Sequence, residues 1–432
     1  MQLRGASGCL VDRSRARGGC TRVRALRGPA PFLGSNAVAI SRDASNVYVA
    51  SSKSDAIAAF ERDARTGKLT QRSGTAGCVA ARGAGGCARA VGLDGPNSVA
   101  VSADGRNVYA TSLNSDSVAI FRRNPATGAL TQSRDGSGCV ANTATAGCAT
   151  GRALDGPDVV TVSPDGKNVY VGSFKGDAVA VFSRTASTGA LTQPADATGC
   201  IVNKPGDSCT TGLALDAPEG MAISAGGDSV YVASAVSNAI GVFTRNPSTG
   251  ALAQATDGTG CIVNRALAGC TTGRHLAGAN AVAVSPDDGD VYVTSLLSKS
   301  VTEFTRTPAT GQLAQKTGTS GCVIYVVAAG CSLGRALKAP EGLAVSSDGA
   351  SLYVAAFKSG AVDVFKRSAS SGALLQKSGR AGCVVTRPAP DCTPARALLG
   401  ASSIAISPDG RYLYSGAFAS DAVGVFKRVV RR

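Results

Sequence analysis

Seven small residues, each standing just before an apolar run, recur at one constant spacing. Gly34, Gly95, Gly156, Ala217, Gly278, Ala339 and Gly400 are 61 residues apart each time. A fixed period constrains the fold more than composition does, because each unit has to bury its apolar face against the next copy. Three further columns keep the period. They are Tyr48, Tyr109, Tyr170, Tyr231, Tyr292, Tyr353 and Tyr414; Phe60, Phe121, Phe182, Phe243, Phe304, Phe365 and Phe426; and Arg62, Arg123, Arg184, Arg245, Arg306, Arg367 and Arg428.

Each unit reads as strands. In the second copy Ser98–Ser102 is a short apolar run, as expected of a strand buried on both faces. The Asp-Gly turn at 103–106 precedes a second strand at 107–112, and 117–121 is a third. A turn at 124–128 leads into a fourth strand beginning at Ala129. No segment has clean helical period. The expectation is therefore an all-β, seven-bladed β-propeller with four antiparallel strands per blade, forming one domain over 1–432. The last copy stops after its third strand. Residues 1–9 align with 70–78, so residues near 1–5 are expected to complete the last blade. Residues 1–33 then comprise that closing strand and an irregular cysteine loop. Closure removes the exposed sheet edge that invites aggregation.

The 14 cysteines fall in local pairs. Six pairs have eight residues between them: Cys78 and Cys87, Cys139 and Cys148, Cys200 and Cys209, Cys261 and Cys270, Cys322 and Cys331, Cys383 and Cys392. The pair Cys9 and Cys20 has ten. An even count in fixed pairs reads as a disulfide framework. The single His and the absence of Cys-x-x-Cys spacing argue against a cysteine metal site. Each bridge would contribute about 2–3 kcal/mol by constraining the unfolded chain, and such bridges persist in oxidising compartments. A secreted, periplasmic or cell-surface protein is expected. No run of apolar residues is long enough for a membrane span. Residue 1 already falls inside a repeat, so the lack of a targeting core says nothing about export.

Net charge is +15. It serves solubility, or it attracts an anionic polysaccharide, cell wall or protein partner. The absence of Trp and of basic runs interleaved with aromatics speaks against nucleic acid. The stretch from Arg13 to Arg27 carries six Arg in fifteen residues and is the first candidate for a polyanion contact.

The motifs Ser163-Pro-Asp-Gly-Lys-Asn-Val-Tyr-Val171, Ala178-Val-Ala-Val-Phe182, Thr188-Gly-Ala-Leu191 and Tyr292-Val-Thr-Ser295 make the repeat similar to the lactonase-like, YVTN-type bacterial propellers. The resemblance covers essentially the whole chain. It implies the fold, and it implies little about function, since these motifs are turns and core strands.

Departures from the repeat mark candidate sites. Two residues past each anchor stand Asn36, Asn97, Asp158, Glu219, Asn280, Glu341 and Ser402, expected to ring the mouth of the central channel. Oxygen donors of this kind suit calcium, which takes about 6–8 of them. The column looks like that of metal-dependent lactonase propellers, whereas the YVTN branch does not characteristically need a metal. The alternative is that these side chains cap strand starts and hold channel water. Arg24, Arg152, Arg274, Arg335 and Arg396 either tie the cysteine loops to neighbouring carbonyls or form an anion-binding rim. His275 is the one imidazole available as a general base or proton shuttle. Phe174, Phe357, Phe418 and Tyr325 either make an apolar patch or pack under the loops.

Two functions survive. The regularity of the repeats favours a binding ring working through the face that carries the cysteine loops. The alternative is a lactonase-like hydrolase or isomerase. There Glu219 and Glu341 would be bases or metal ligands, Asn36, Asn97, Asp158 and Asn280 further ligands, His275 the proton shuttle, and Arg274 or Arg335 the oxyanion partner.

Overall fold

The computed structural model describes residues 1–15, 18–29, 36–206 and 208–429. The anchor Gly34 and Arg17 of the basic stretch lie outside the described residues. The chain forms seven sheets, one per repeat, arranged as a seven-bladed β-propeller. The helical pieces among the described residues are short 3₁₀ turns. None is long and apolar enough to cross a membrane.

Blade two shows the plan. Pro96–Val101, Asn107–Ser112 and Ser117–Arg123 pair antiparallel in sequence order. The second strand is buried along its whole length, which explains its Val, Tyr and Ala content. The expected fourth strand comes in two pieces. Leu130–Thr131 pairs with Arg122 and Arg123, and Cys139–Ala141 pairs with Ser117–Ala119. Between the pieces the chain bulges outward, and Gln132 holds the bulge by donating to the Gly138 carbonyl. A Cβ at Gly138 would stand 2.3 Å from the Ser133 carbonyl oxygen, so the close approach requires glycine. Beyond the disulfide loop, Ala149–Thr150 returns parallel to Cys139–Ala141.

All seven cysteine pairs are bridged as the spacing predicts. Cys9 joins Cys20, Cys78 joins Cys87, Cys139 joins Cys148 and Cys200 joins Cys209. Cys261 joins Cys270, Cys322 joins Cys331 and Cys383 joins Cys392. Their Cα–Cα distances are 4.6–4.9 Å, and no cysteine is left free. In six of the bridges the first cysteine opens the inner piece of the split fourth strand, whereas Cys261 lies within a strand that begins at Gly258. The second, Cys87, Cys148, Cys209, Cys270, Cys331 or Cys392, stands at or just before the short strand that returns parallel to it.

Ring closure goes further than residues 1–5. Leu3 N donates to Val425 O at 3.0 Å, Gln2 bridges Phe426, and Cys9–Val11 pairs with Ala422–Gly424. Both pieces of the last blade's fourth strand therefore come from the start of the chain.

The repeated columns are the joints between blades. On the face of the tight turns, Arg184 Nε donates to the Tyr109 hydroxyl of the preceding blade at 2.9 Å. Its Nη2 meets Asp104 at 2.7 Å. The same clamp recurs for Arg62, Arg123, Arg245, Arg306, Arg367 and Arg428. The Tyr109 hydroxyl donates onward to Gly189 O at 2.9 Å. Burial pushes its pKa up to about 12. For Asp104, burial works in the same upward direction, but the donors Ser102 and Arg184 hold the carboxyl below its ordinary value.

Candidate functional site

On the opposite face, strand one begins with an irregularity. In six blades its register with strand two shifts around the column residue: Asn97, Asp158, Glu219, Asn280, Glu341 and Ser402 are each the extra residue of a β-bulge. A bulge re-aims the side chain it carries. These six residues are all at most 2 % exposed, whereas Asn36 is exposed. The ring thus lies beneath the surface, not at an open mouth as expected from sequence. Strand one is the innermost strand of each blade, and packing against the neighbouring inner strands covers it.

Inside the ring the polar groups are partly paired. Asn97 Nδ2 donates to Asp158 Oδ1 at 2.8 Å. Asn280 Nδ2 donates to Pro340 O at 3.0 Å, and its Oδ1 accepts from Thr294 at 2.8 Å. Asn97 Oδ1, Asp158 Oδ2 and Glu219 Oε2 are buried without a partner. Unpaired buried oxygens are costly unless they are protonated or meet a ligand. Burial pushes Asp158 up to about 7, against the pull of the Asn97 hydrogen bond. Burial pushes Glu341 up to about 8. Glu219 is raised well above the usual carboxylate range, first by burial and then by the charges of Asp158 and Glu341.

The donors are all oxygen, as a hard cation wants. Among the described residues, however, Asp158, Glu219 and Glu341 do not gather as a three-ligand cluster. The one set whose ligand atoms lie within 4.8 Å of one another is His275, Cys322 and Cys331, and both cysteines are locked in a disulfide.

His275 therefore sits against the outer strand of the next blade, not among the channel carboxylates. Its backbone carbonyl accepts from Ser300 and Thr302. Its imidazole pKa is lowered by burial and by Arg274. The chain crosses the width of the blade between His275 and Asn280, so nearness in sequence misled. Arg274 and Arg335 make the ties to neighbouring carbonyls that were one of the two readings of their column. Arg335 donates to Lys377 O at 2.6 Å and Gly379 O at 3.2 Å. Arg274 reaches Gly330 O and Gly318 O, both at 3.4 Å. They are guanidinium ties from one blade to the next cysteine loop, as are Arg24 and Arg396. An oxyanion role for them has no support in this placement.

Two of the four aromatic departures meet. Phe357 and Phe418 lie 6.4 Å apart, and the Lys53 ammonium stands 3.9 Å over the Phe418 ring. Two sets of residues escaped sequence reasoning. The Gln column (Gln2, Gln71, Gln132, Gln193, Gln254, Gln315, Gln376) hydrogen-bonds its own bulge and the backbone of the preceding blade. Glu303 and Asp363 are acids fully buried in third strands, each with one oxygen unpaired. Their signal was a carboxylate in columns otherwise mostly aliphatic, such as Val181, Val242 and Val364 for Glu303.

Residues 156–263 match the lactonase family of seven-bladed β-propellers. That match covers blade three and most of blade four, including Asp158 and Glu219. No curated protein matches the chain. Among solved structures, the periplasmic gluconolactonase of Pseudomonas aeruginosa is similar at 18% identity and TM-score 0.56, covering 89% of this chain and 92% of that one. A candidate 6-phosphogluconolactonase of Bacteroides fragilis is similar at 18% identity and TM-score 0.54, covering 78% and 81%. Hydrazine synthase of Kuenenia stuttgartiensis is similar at 17% identity and TM-score 0.53, covering 92% and 97%. Likenesses this distant establish the propeller fold alone, and they span different chemistries. The chain is a seven-bladed β-propeller, part of which matches the lactonase family, and its seven disulfides belong to surroundings outside the reducing cytoplasm.

Proposed function

We propose that this propeller is a hydrolase of lactones or related cyclic esters, working in a secreted, periplasmic or cell-surface setting. The observation that carries the reading is the Asp158–Glu219 pair, two buried carboxyls with free oxygens, both raised by burial and electrostatically linked. Two linked carboxyls in a buried site can divide the acid and base roles between them. Asp158, near 7, is ionised often enough to accept a proton from water as that water attacks the lactone carbonyl carbon. Glu219, held well above the usual carboxylate range by burial and by the charges of Asp158 and Glu341, gives its proton to the ring oxygen as the carbon–oxygen bond breaks, leaving a hydroxy acid. Asn97 is a positioning residue, fixing Asp158 through its amide. The family match over 156–263 supports the same class of substrate.

The test is proton release at constant pH from glucono-δ-lactone and other sugar lactones, corrected for spontaneous opening. Glu219→Gln and Asp158→Asn are expected to lower kcat/KM by about 100-fold or more. An unchanged rate in both variants would overturn the reading. The burial of these carboxyls favours a second reading, a binding ring without chemistry. That reading gains if no lactone is opened faster than in buffer.

A further inference from the structure

The junction where the ring closes differs from the other six. A groove of about 500 Å³ runs between the N-terminal half of the last blade and the outer strand of blade one. Arg13, Arg22, Lys68 and Arg72 line it, together with Arg24 and Gln71. Arg24 is already committed, since its guanidinium donates to carbonyls of Arg72, Gly74, Gly85 and Gly86. Arg22 spends one nitrogen on the Arg13 carbonyl. Arg72 pairs with Glu61 at 3.3 Å, with the Arg72 side chain 38% exposed and that of Glu61 55%. Arg13, Arg22 and Lys68 are exposed.

The repeat supplies an internal control. The strand register equates Arg22 with Arg89, Thr150, Thr211, Thr272, Leu333 and Pro394. By the 61-residue period Lys68 answers to Ala129, Ala190, Ala251, Gln312 and Ala373. Arg72 answers to Ser133, Pro194, Ala255, Lys316 and Lys377. With Cys9 aligned on Cys78, Arg13 answers to Arg82, Thr143, Lys204, Arg265, Val326 and Arg387. Four cations meet at the closing junction, and no other junction brings more than two of these positions together as Lys or Arg. The repeat fold does not need charge there, since most copies manage without it.

We propose that this seam groove binds an acidic polysaccharide along the rim of the ring, independently of any hydrolysis in the channel. Its chemistry suits such a strand. The cations are spread along a concave groove, so successive anionic sugars can each meet one. Thr21, Thr70, Gln71 and Ser73 offer hydrogen-bonding groups to sugar hydroxyls. No aromatic side chain lines the groove, so nothing there would stack a nucleic-acid base. No large apolar side chain is available to enter a lipid layer. Single exposed ion pairs are weak, so binding rests on several contacts at once and is screened by salt.

The test measures binding of the intact protein to polygalacturonate by calorimetry, at low and at high salt. One variant carries Arg13→Thr, Arg22→Thr, Lys68→Ala and Arg72→Ser, side chains that other junctions hold at those places. A control variant removes four exposed cations from the tight-turn face through Arg42→Ala, Arg106→Ala, Lys167→Ala and Arg411→Ala. The seam variant is expected to bind about tenfold or more weakly, while the control stays close to the parent. Equal losses in both variants would show an effect of net charge only and overturn the proposal. So would equal binding of neutral dextran, or binding to anionic phospholipid vesicles but not to polygalacturonate. Circular dichroism of the seam variant identical to the parent's is expected, and a changed spectrum moves the test to Lys68→Ala alone, whose retention of full affinity would also count against the groove.

Discussion

The two faces of each blade junction use the repeat in opposite ways. On the tight-turn face, Arg and Tyr recur with the same hydrogen bond at all seven joints, and an Asp answers the Arg at each, Asp228 standing in where Gly226 interrupts the Asp column. At the inner strand starts the position is fixed by a bulge, yet the side chain changes from Asn to Asp, Glu and Ser. Where one geometry has one solution, the residue repeats. Where the geometry sets only the direction of a side chain, its chemistry is left open. The clamps are satisfied networks, whereas the ring keeps unpaired oxygens. The first should be the source of stability and the second a drain on it.

Breaking a clamp is the severest test. Arg306→Ala removes a fully buried guanidinium and its bonds to the Tyr231 hydroxyl, Asp228 and the Asp288 carbonyl, while Tyr231 keeps Gly311 O and Asp228 keeps solvent. A loss of about 2–4 kcal/mol, from packing and buried hydrogen bonds, is expected from denaturant unfolding with the disulfides intact. A loss below that of an exposed salt bridge would show that the repeated clamp carries little. Next comes one cysteine loop: Cys139→Ser together with Cys148→Ser should cost about 2–3 kcal/mol by the same measurement.

Buried acids should behave in the reverse sense. Burial raises Glu303 to about 9, with opposing pulls from the Leu374 N–H and Lys316. Its folded pKa lies above its unfolded value, so the folded state holds the extra proton between them. Stability is then full below about pH 4.5 and is lost as pH rises toward 9. Glu303→Gln should flatten that decline and gain about 1–2 kcal/mol at about pH 9. A decline as steep as the parent's would place the titration elsewhere, with Glu341 and Asp158 next in line. The smallest effect is expected for Arg274→Ala, whose exposed guanidinium makes only long bonds: under about 1 kcal/mol, read from the same curves.

The sequence showed the ring, the seven blades, the disulfide pairs and the clamp columns, because each depends on a spacing. It showed the position of the channel column too, since Asn97, Asp158 and Glu219 sit at one phase of the repeat. It did not show their burial, which comes from packing between inner strands far apart in the chain. Nor did it show the split fourth strand. The Gln column was visible as letters, but its meaning rests on a bulge that only three dimensions reveal. His275 was misplaced for a related reason. Its left-handed backbone, φ 57°, turns the chain from the outer loop toward the inner strand, so the imidazole stays behind at the rim.

The borrowed fourth strand also sets an order of events. Residues 1–12 are synthesised before every blade, yet their partner, Ala422–Lys427, is made last. Cys9 and Cys20 can find each other at once, because their loop is local. The strand they flank must wait, unpaired, through the synthesis of six complete blades. Closure of this ring is then a docking of two segments from far apart in the chain. The rate of that docking should depend on how well the six-blade arc already curves, and not on the sequence of the closing strand alone.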